Sequence, residues 1–187
     1  MRGMNGTVEL TALHAENDRE QLVAFLTGNS FPFHLDSSPT ELSVRRRMER
    51  GDFSAPDNEG YWVLEGGERV GLVVLSDVED PCALLDLRLR ESSRGLGLGL
   101  HTLLAIGDRA FSTHSHLRRL EGSTRDDNVA MQRTFLKAGW VKESHYREAG
   151  PEIDGVHHDI LGYSLTRGDW KTGESHPPNW ALGLSLR

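Results

Sequence analysis

The sequence predicts a mixed α/β fold, an α+β arrangement in which one mixed sheet of about seven strands carries helices on both faces. Three observations predict it. The hydrophobic period switches repeatedly between two and about 3.6 residues, and the elements so marked run β-α-α-β-β-β-α-β-α-β-β. A β-α-β step demands parallel neighbours and a hairpin antiparallel ones, so this order needs a sheet of both kinds. No repeat, heptad array or low-complexity tract divides the 187 residues, which read as a single domain over 1–187 with 171–187 as a C-terminal extension.

The first strand is expected over residues 7–13. Asn17 with Glu20 three positions on then reads as a helix cap, Leu22, Phe25 and Leu26 recur at helical spacing, and Gly28 stops the run. Ser38, Pro39 and Glu41 announce a second helix that ends by Gly51, since a capping hydroxyl and a first-turn proline suit a helix start. Between these helices lies an aromatic loop, residues 29–36, with Pro32 and His34 in its middle. Residues 61–64 and 70–75 form a hairpin around Gly66 and Gly67. In the next strand, 83–89, Ala83, Leu85, Leu87 and Leu89 alternate with Asp86 and Arg88, which is the period of a strand with one dry face.

A helix follows with Leu100, Leu103, Leu104, Gly107 and Phe111 on one face. A strand at 117–124 leads to a helix capped by Asn128 (or Asp127), which carries Met131, Phe135 and Leu136 and closes at Gly139. Two strands at about 140–146 and 157–166 end the domain. A polar tail, 171–179, precedes an apolar patch at 180–186. Trp170 and Trp180 read as packing anchors for that tail, and a homodimer contact is the second role open to them.

Composition narrows the function. Lys and Arg number 21 against 28 Asp and Glu, a net charge of −7, which argues against bulk binding of nucleic acid. One cysteine, Cys82, forms no internal disulfide and no multi-cysteine metal site, so a cytoplasmic protein is expected. The first ten residues lack the apolar core of a secretory signal, and no apolar run approaches the roughly 20 residues of a membrane span. His114 and His116 have no third ligand nearby in sequence and read as surface residues, and the run Arg45, Arg46, Arg47 and Arg50 as a solvated helix face. No metal is expected.

The densest of the 20 glycines are Gly95, Gly97 and Gly99, between a strand and a helix. Helix N-termini offer unpaired N–H groups and partial positive charge, glycines let a phosphate approach the backbone, and Arg94 adds a charged donor. A nucleotide P-loop would end in Gly-Lys-Ser/Thr, whereas this loop ends Gly99-Leu100-His101; a dinucleotide fingerprint needs G-x-G-x-x-G, whereas this chain has G-x-G-x-G. The segment Arg94-Gly95-Leu96-Gly97-Leu98-Gly99 resembles instead the Arg/Gln-x-x-Gly-x-Gly/Ala loop of the GNAT superfamily of acetyltransferases. The asparagine-capped helix running from Asn128 to Lys137-Ala138-Gly139-Trp140 is similar to that family's second signature. Asp154-Gly155 through Trp170, with Asp159 and Tyr163, resembles the closing strands of the branch that acetylates ribosomal-protein N-termini.

The resemblance implies a GNAT-like fold and transfer of an acetyl group from acetyl-coenzyme A to a primary amine, either a protein N-terminus or a small molecule. It places the pyrophosphate at Arg94, Gly95, Leu96, Gly97, Leu98, Gly99 and Leu100, and the pantetheine arm on the backbone at Leu87 and Leu89. Asn128 and Phe135 complete the cofactor set. Phe135 stands where the family often has a tyrosine to protonate the thiolate, and Ala83 where a glutamate base is common, so acid and base are assigned afresh. Asp86 and His34 are the catalytic candidates, with His157 and His158 behind them. Asp86 also reads as an ion-pair partner of Arg88 or Arg90, and His34 as a satisfied loop histidine. Direct transfer is expected, because Cys82 has no evident histidine partner. The alternative is a non-catalytic coenzyme A-binding or sensing domain, since both usual reactive side chains are replaced.

Overall fold

The computed structural model describes residues 7–14, 16–54 and 56–179. Strand β1 (Val8–Ala12) leads to helices α1 (Arg19–Thr27) and α2 (Glu41–Glu49). Strands β2 (Asn58–Glu65), β3 (Glu68–Ser76) and β4 (Cys82–Leu89) follow, then helix α3 (Leu98–Thr113), strand β5 (Arg119–Arg125) and helix α4 (Val129–Lys137). Strands β6 (Val141–Tyr146), β7 (Glu152–Ile153), β8 (Val156–His157) and β9 (Ile160–Thr166) precede a short helix, α5 (Arg167–Thr172). Seven strands form one mixed sheet, as expected of the sequence; their order is β1-β2-β3-β4-β5-β9-β6, and β7 and β8 form a separate two-stranded ribbon.

Helices cover both faces. On one, α3 and α4 pack on a core that includes Val73, Leu75, Leu120, Phe135, Trp140 and Tyr163. On the other, α1 and α2 pack on Trp62, Leu72 and Val74. The β2–β3 hairpin turns on Gly66 and Gly67, whose φ of 58° and 83° give the left-handed pair that matches strand twist.

Several local expectations are corrected. The α1 N-cap is Asp18, not Asn17, and α2 starts from Thr40, whose hydroxyl accepts from Ser43 N while the Ser43 side chain bonds back; Ser38 and Pro39 lie ahead of that box. Leu104 and Leu136 are exposed because Thr102, Ile106 and Ala110 fill the inner face of α3 while Phe135 anchors α4. The strand expected at 157–166 is split, since a left-handed turn at Asp154 and Gly155 makes the β7–β8 ribbon and β9 begins only at Ile160. Helix α5 was not legible: its Thr166 cap accepts from Asp169 N, and Trp170 donates to Asp108 and packs on Phe111, the anchoring role expected of it. Trp180 and the apolar patch lie outside the described residues.

One topological detail positions the site. Strand β4 pairs with β3 from Leu84 to Leu89, but its parallel pairing with β5 covers only Cys82, Ala83 and Leu84. Beyond Leu84 the two strands diverge, so the β5-facing edge of β4 at 85–89 has no ladder partner. Unpaired strand edges offer N–H and C=O groups to an extended ligand.

Candidate active site

The glycine loop closes the open end of this fork. Gly95 and Gly97 have φ of 75° and 86°, and a side chain added at either would meet no atom within 4 Å. The first requires glycine conformationally, and the second means that an anion can come up to the backbone. Gly97 is the left-handed N-cap of α3, and Leu100 N and His101 N turn back to its carbonyl, at 3.1 and 3.4 Å. Gly99 serves packing as well: a Cβ there would sit 3.4 Å from Thr134 of α4. Leu96 is exposed, Leu98 is buried, and Leu87, Leu89 and Leu100 pack partly buried against the α3–α4 core, so what these leucines offer a cofactor is chiefly backbone.

Three of the cofactor candidates make contacts within the protein. Arg94 donates from Nε to Leu89 O at 3.0 Å and from Nη2 to Ser30 O, with its guanidinium 5.6 Å from the Phe31 ring centre, so it ties the aromatic loop to the end of β4. Asn128 accepts from Met131 N at 3.2 Å and donates to Thr124 Oγ1 at 2.9 Å, which engages its amide as the α4 cap. Phe135 is 2% exposed, stacked on Tyr163 at 4.8 Å, with its ring under Gly122, where any Cβ would come within 2.8 Å. It is a core residue because its helical position faces the sheet rather than the fork.

Across the fork, the aromatic loop is clamped by arginines from both arms. Glu91 accepts from Ser30 N and Oγ at 2.7 and 2.6 Å. Arg125, at the end of β5, donates to Pro32 O at 3.0 Å and lies over Phe33, while Arg88 and Arg94 lie over Phe31. The loop thus bridges β4 and β5 on the α1–α2 face.

This clamp brings the two catalytic candidates together across 52 residues. His34 Nε2 lies 2.9 Å from Asp86 Oδ1, and Arg88 Nε donates to Asp86 Oδ2 at 3.2 Å. Burial pushes the Asp86 carboxyl up, but the hydrogen bond and attraction from His34, joined by the Arg88 guanidinium, outweigh it and hold the group well below the usual carboxylate range. Asp86 is therefore an anion, and the imidazole tautomer that donates to it carries its proton on Nε2. That tautomer leaves a lone pair on His34 Nδ1, which is buried and has no hydrogen-bond partner. Arg88 Nη1 is likewise buried and unpartnered. A cavity of about 230 Å³ adjoins Asp86 between β2–β4 and the end of α2.

Arg88 is the residue that sequence reading missed. Strand alternation marks it as outward and polar, yet it is 5% exposed, since its face of β4 is covered by the aromatic loop.

Comparison with known proteins identifies the family. The acetyltransferase (GNAT) domain model matches residues 7–141, well over half of the chain. The chain belongs to the GNAT acetyltransferase family. As a member, this acetyltransferase is an acetyl-coenzyme A-dependent N-acetyltransferase. Similar solved structures include a spermidine N-acetyltransferase from Vibrio cholerae in complex with CoA and spermine, 16% identical over 88% of this chain and 98% of that one, with TM-score 0.73. A chimera of the Vibrio cholerae enzyme and hSSAT matches at 16% identity over 88% and 98%, with TM-score 0.72. A probable acetyltransferase matches at 19% over 89% and 96%, with TM-score 0.68. No curated protein matches the sequence.

The remaining candidates of this acetyltransferase fall elsewhere. His157 is exposed on the β7–β8 ribbon near Glu152, and His158 pairs with Asp126 at 2.9 Å. Asp126, Asp127 and His158 bring ligand atoms within 4.8 Å of one another, but Asp127 already accepts two bonds from Arg125. His114 is not on the surface; it is mostly buried, 3.0 Å from Glu59. Burial, with Glu121 beside it, pushes the Cys82 thiol up to about 11, which keeps it protonated and a weak nucleophile. No helix among the described residues is long and apolar enough to cross a membrane.

Proposed function

We propose that this acetyltransferase acetylates a small primary amine by direct transfer, with His34 as general base and Asp86 as the group that fixes its tautomer. The observation that carries this is the 2.9 Å His34–Asp86 contact, which leaves a lone pair on an unpartnered Nδ1. An amine arrives as an ammonium ion, and its proton has to leave before nitrogen can attack. His34 Nδ1 accepts that proton, while Asp86 stabilises the imidazolium that results. Nδ1 is buried, so the acceptor reaches it only as the site opens; catalytic hydrogen bonds are commonly incomplete before substrate binds.

Acetyl-coenzyme A supplies the activated acetyl thioester. The residues present suit it: open space at Gly95 and Gly97 for its pyrophosphate, and the unpaired β4 edge at Leu87 and Leu89 for its pantetheine arm. Arg94 and Asn128 hold the two sides of that site in place. Phe135 has no proton to give the thiolate, and a thiol of pKa about 8.5 is a tolerable leaving group without one.

Of the two acceptor kinds the sequence leaves open, a ribosomal or other protein N-terminus and a small molecule, the cavity beside Asp86 supports the second. Its volume of about 230 Å³ is below the roughly 300 Å³ at which drug-sized pockets begin. The spermine-bound neighbour lends further support to an amine acceptor on this fold. The test is thiol release from acetyl-coenzyme A with a panel of small amines and N-terminal peptides. Small amines are turned over and His34→Ala and Asp86→Asn lower kcat; turnover of peptides alone, or unchanged kcat in both variants, overturns the assignment.

A further inference from the structure

The cavity beside Asp86 has two unlike ends. Its lining is Arg47, Asp52, Asn58, Val74, Ser76 and Asp86. Sheet register explains the grouping, since Asn58 pairs with Ser76 and Val74 with Asp86, so these side chains share one face of the sheet beneath the end of α2. At one end stands Asp86 with its histidine. At the other, Asp52 accepts from Arg47 Nε at 3.2 Å and from Arg50 Nε and Nη2 at 3.2 and 2.7 Å. Arg50 is largely exposed and lies outside the lining, and its two bonds occupy Asp52, which leaves Arg47 as the one cation that lines the cavity.

The Arg47 side chain is only 20% exposed, and its guanidinium lies 4.6 Å from the centre of the buried Phe53 ring. Its two Nη groups have no hydrogen-bond partner among the described residues, and the Ser76 hydroxyl has none either. A largely buried guanidinium whose two Nη groups are free presents one bidentate edge to a carboxylate, and a neighbouring hydroxyl adds a third donor. A polyamine would leave the Arg47 Nη groups without an acceptor.

We infer that the acceptor is a small zwitterion, an amino acid whose amine meets Asp86 and His34 while its carboxylate is held by Arg47 and Ser76. The inference rests on the acceptor and dyad assignment above and adds the recognition of a second group. Arg47 is thus a specificity residue; the reacting nitrogen lies at the other end of the cavity. Within the run of three arginines in α2, Arg45 pairs with Glu20 and Glu41, whereas Arg47 lines the cavity.

The experiment compares kcat/KM for glycine, β-alanine and 4-aminobutyrate with that for their amides, for the alkylamines of matching length, and for spermidine. At least one amino acid should exceed its own amide and alkylamine by tenfold or more. In Arg47→Gln that ratio should fall toward one, chiefly through KM of the amino acid, and Arg47→Lys should restore part of it. Alkylamines or spermidine matching the best amino acid in the wild-type protein would overturn the zwitterion assignment while leaving the dyad standing. Absence of thiol release with every acceptor, while acetyl-coenzyme A still raises Tm, would overturn the catalytic reading and this inference together. The wild-type comparison needs no variant, so misfolding of Arg47→Gln cannot mask the outcome.

Discussion

At His34 the atom that matters is Nδ1, and what prepares it is the residue bonded to the other nitrogen. Removing the imidazole in His34→Ala should lower kcat by about 10²–10⁴, the usual range for a general base, with acetyl-coenzyme A affinity retained. Asp86→Asn should lower it similarly, because a neutral amide no longer stabilises the imidazolium. Measured kcat with thermal shift on cofactor addition separates loss of turnover from loss of binding. A second histidine acts on stability. His176 Nδ1 lies 2.9 Å from Asp169, and the hydrogen bond to that carboxylate raises its pKa above the ordinary value. A histidine with a raised folded-state pKa stabilises the fold below its unfolded value of about 6.5 and loses that contribution as pH rises through the raised value. The Tm difference between wild type and His176→Ala should therefore be present in acid and disappear as pH climbs; a difference constant with pH would contradict the ion pair.

Among the elements, the strand–loop–helix unit from β4 to α3 is the one whose conformation its own residues dictate. Gly97 sits left-handed at the α3 N-cap, where any side chain costs about 1–2 kcal/mol. Gly97→Ala should lower stability by about that amount and also weaken acetyl-coenzyme A binding, because the added methyl enters the space next to the backbone. Melting curves with and without the cofactor check both parts. The β4 edge is different. Its alternation of leucines with Asp86 and Arg88 was legible as a strand, but not that β5 would leave it after three residue pairs. Strand divergence depends on how both strands twist against their helices, which no local pattern encodes. The loop between α1 and α2 was legible as aromatic, not as a clamp, since its partners Arg88, Arg94 and Arg125 lie 57 or more residues away from Phe31 in sequence.

For the whole molecule, acetyl-coenzyme A at a hundredfold over its dissociation constant should stabilise the fold by about 2.7 kcal/mol. A thermal shift absent with every coenzyme A ester would contradict the family's cofactor chemistry. The net charge of −7 fits an anionic cofactor, since the loop offers backbone N–H groups of α3 and needs no basic surface. The sequence by itself determined the class of fold, the seven-stranded mixed sheet, the glycine loop and the family, because hydrophobic period, turn glycines and a short backbone-binding motif are local properties that neighbouring residues specify. It named His34 and Asp86, but only as separate candidates. Tertiary structure alone decided that they meet, that Arg88 is buried behind them, that Phe135 belongs to the core, and that Arg47 turns toward the cavity. Each of those facts depends on which faces pack together across the sheet, and a hydrogen bond spanning 52 residues has no signature in the spacing of either partner.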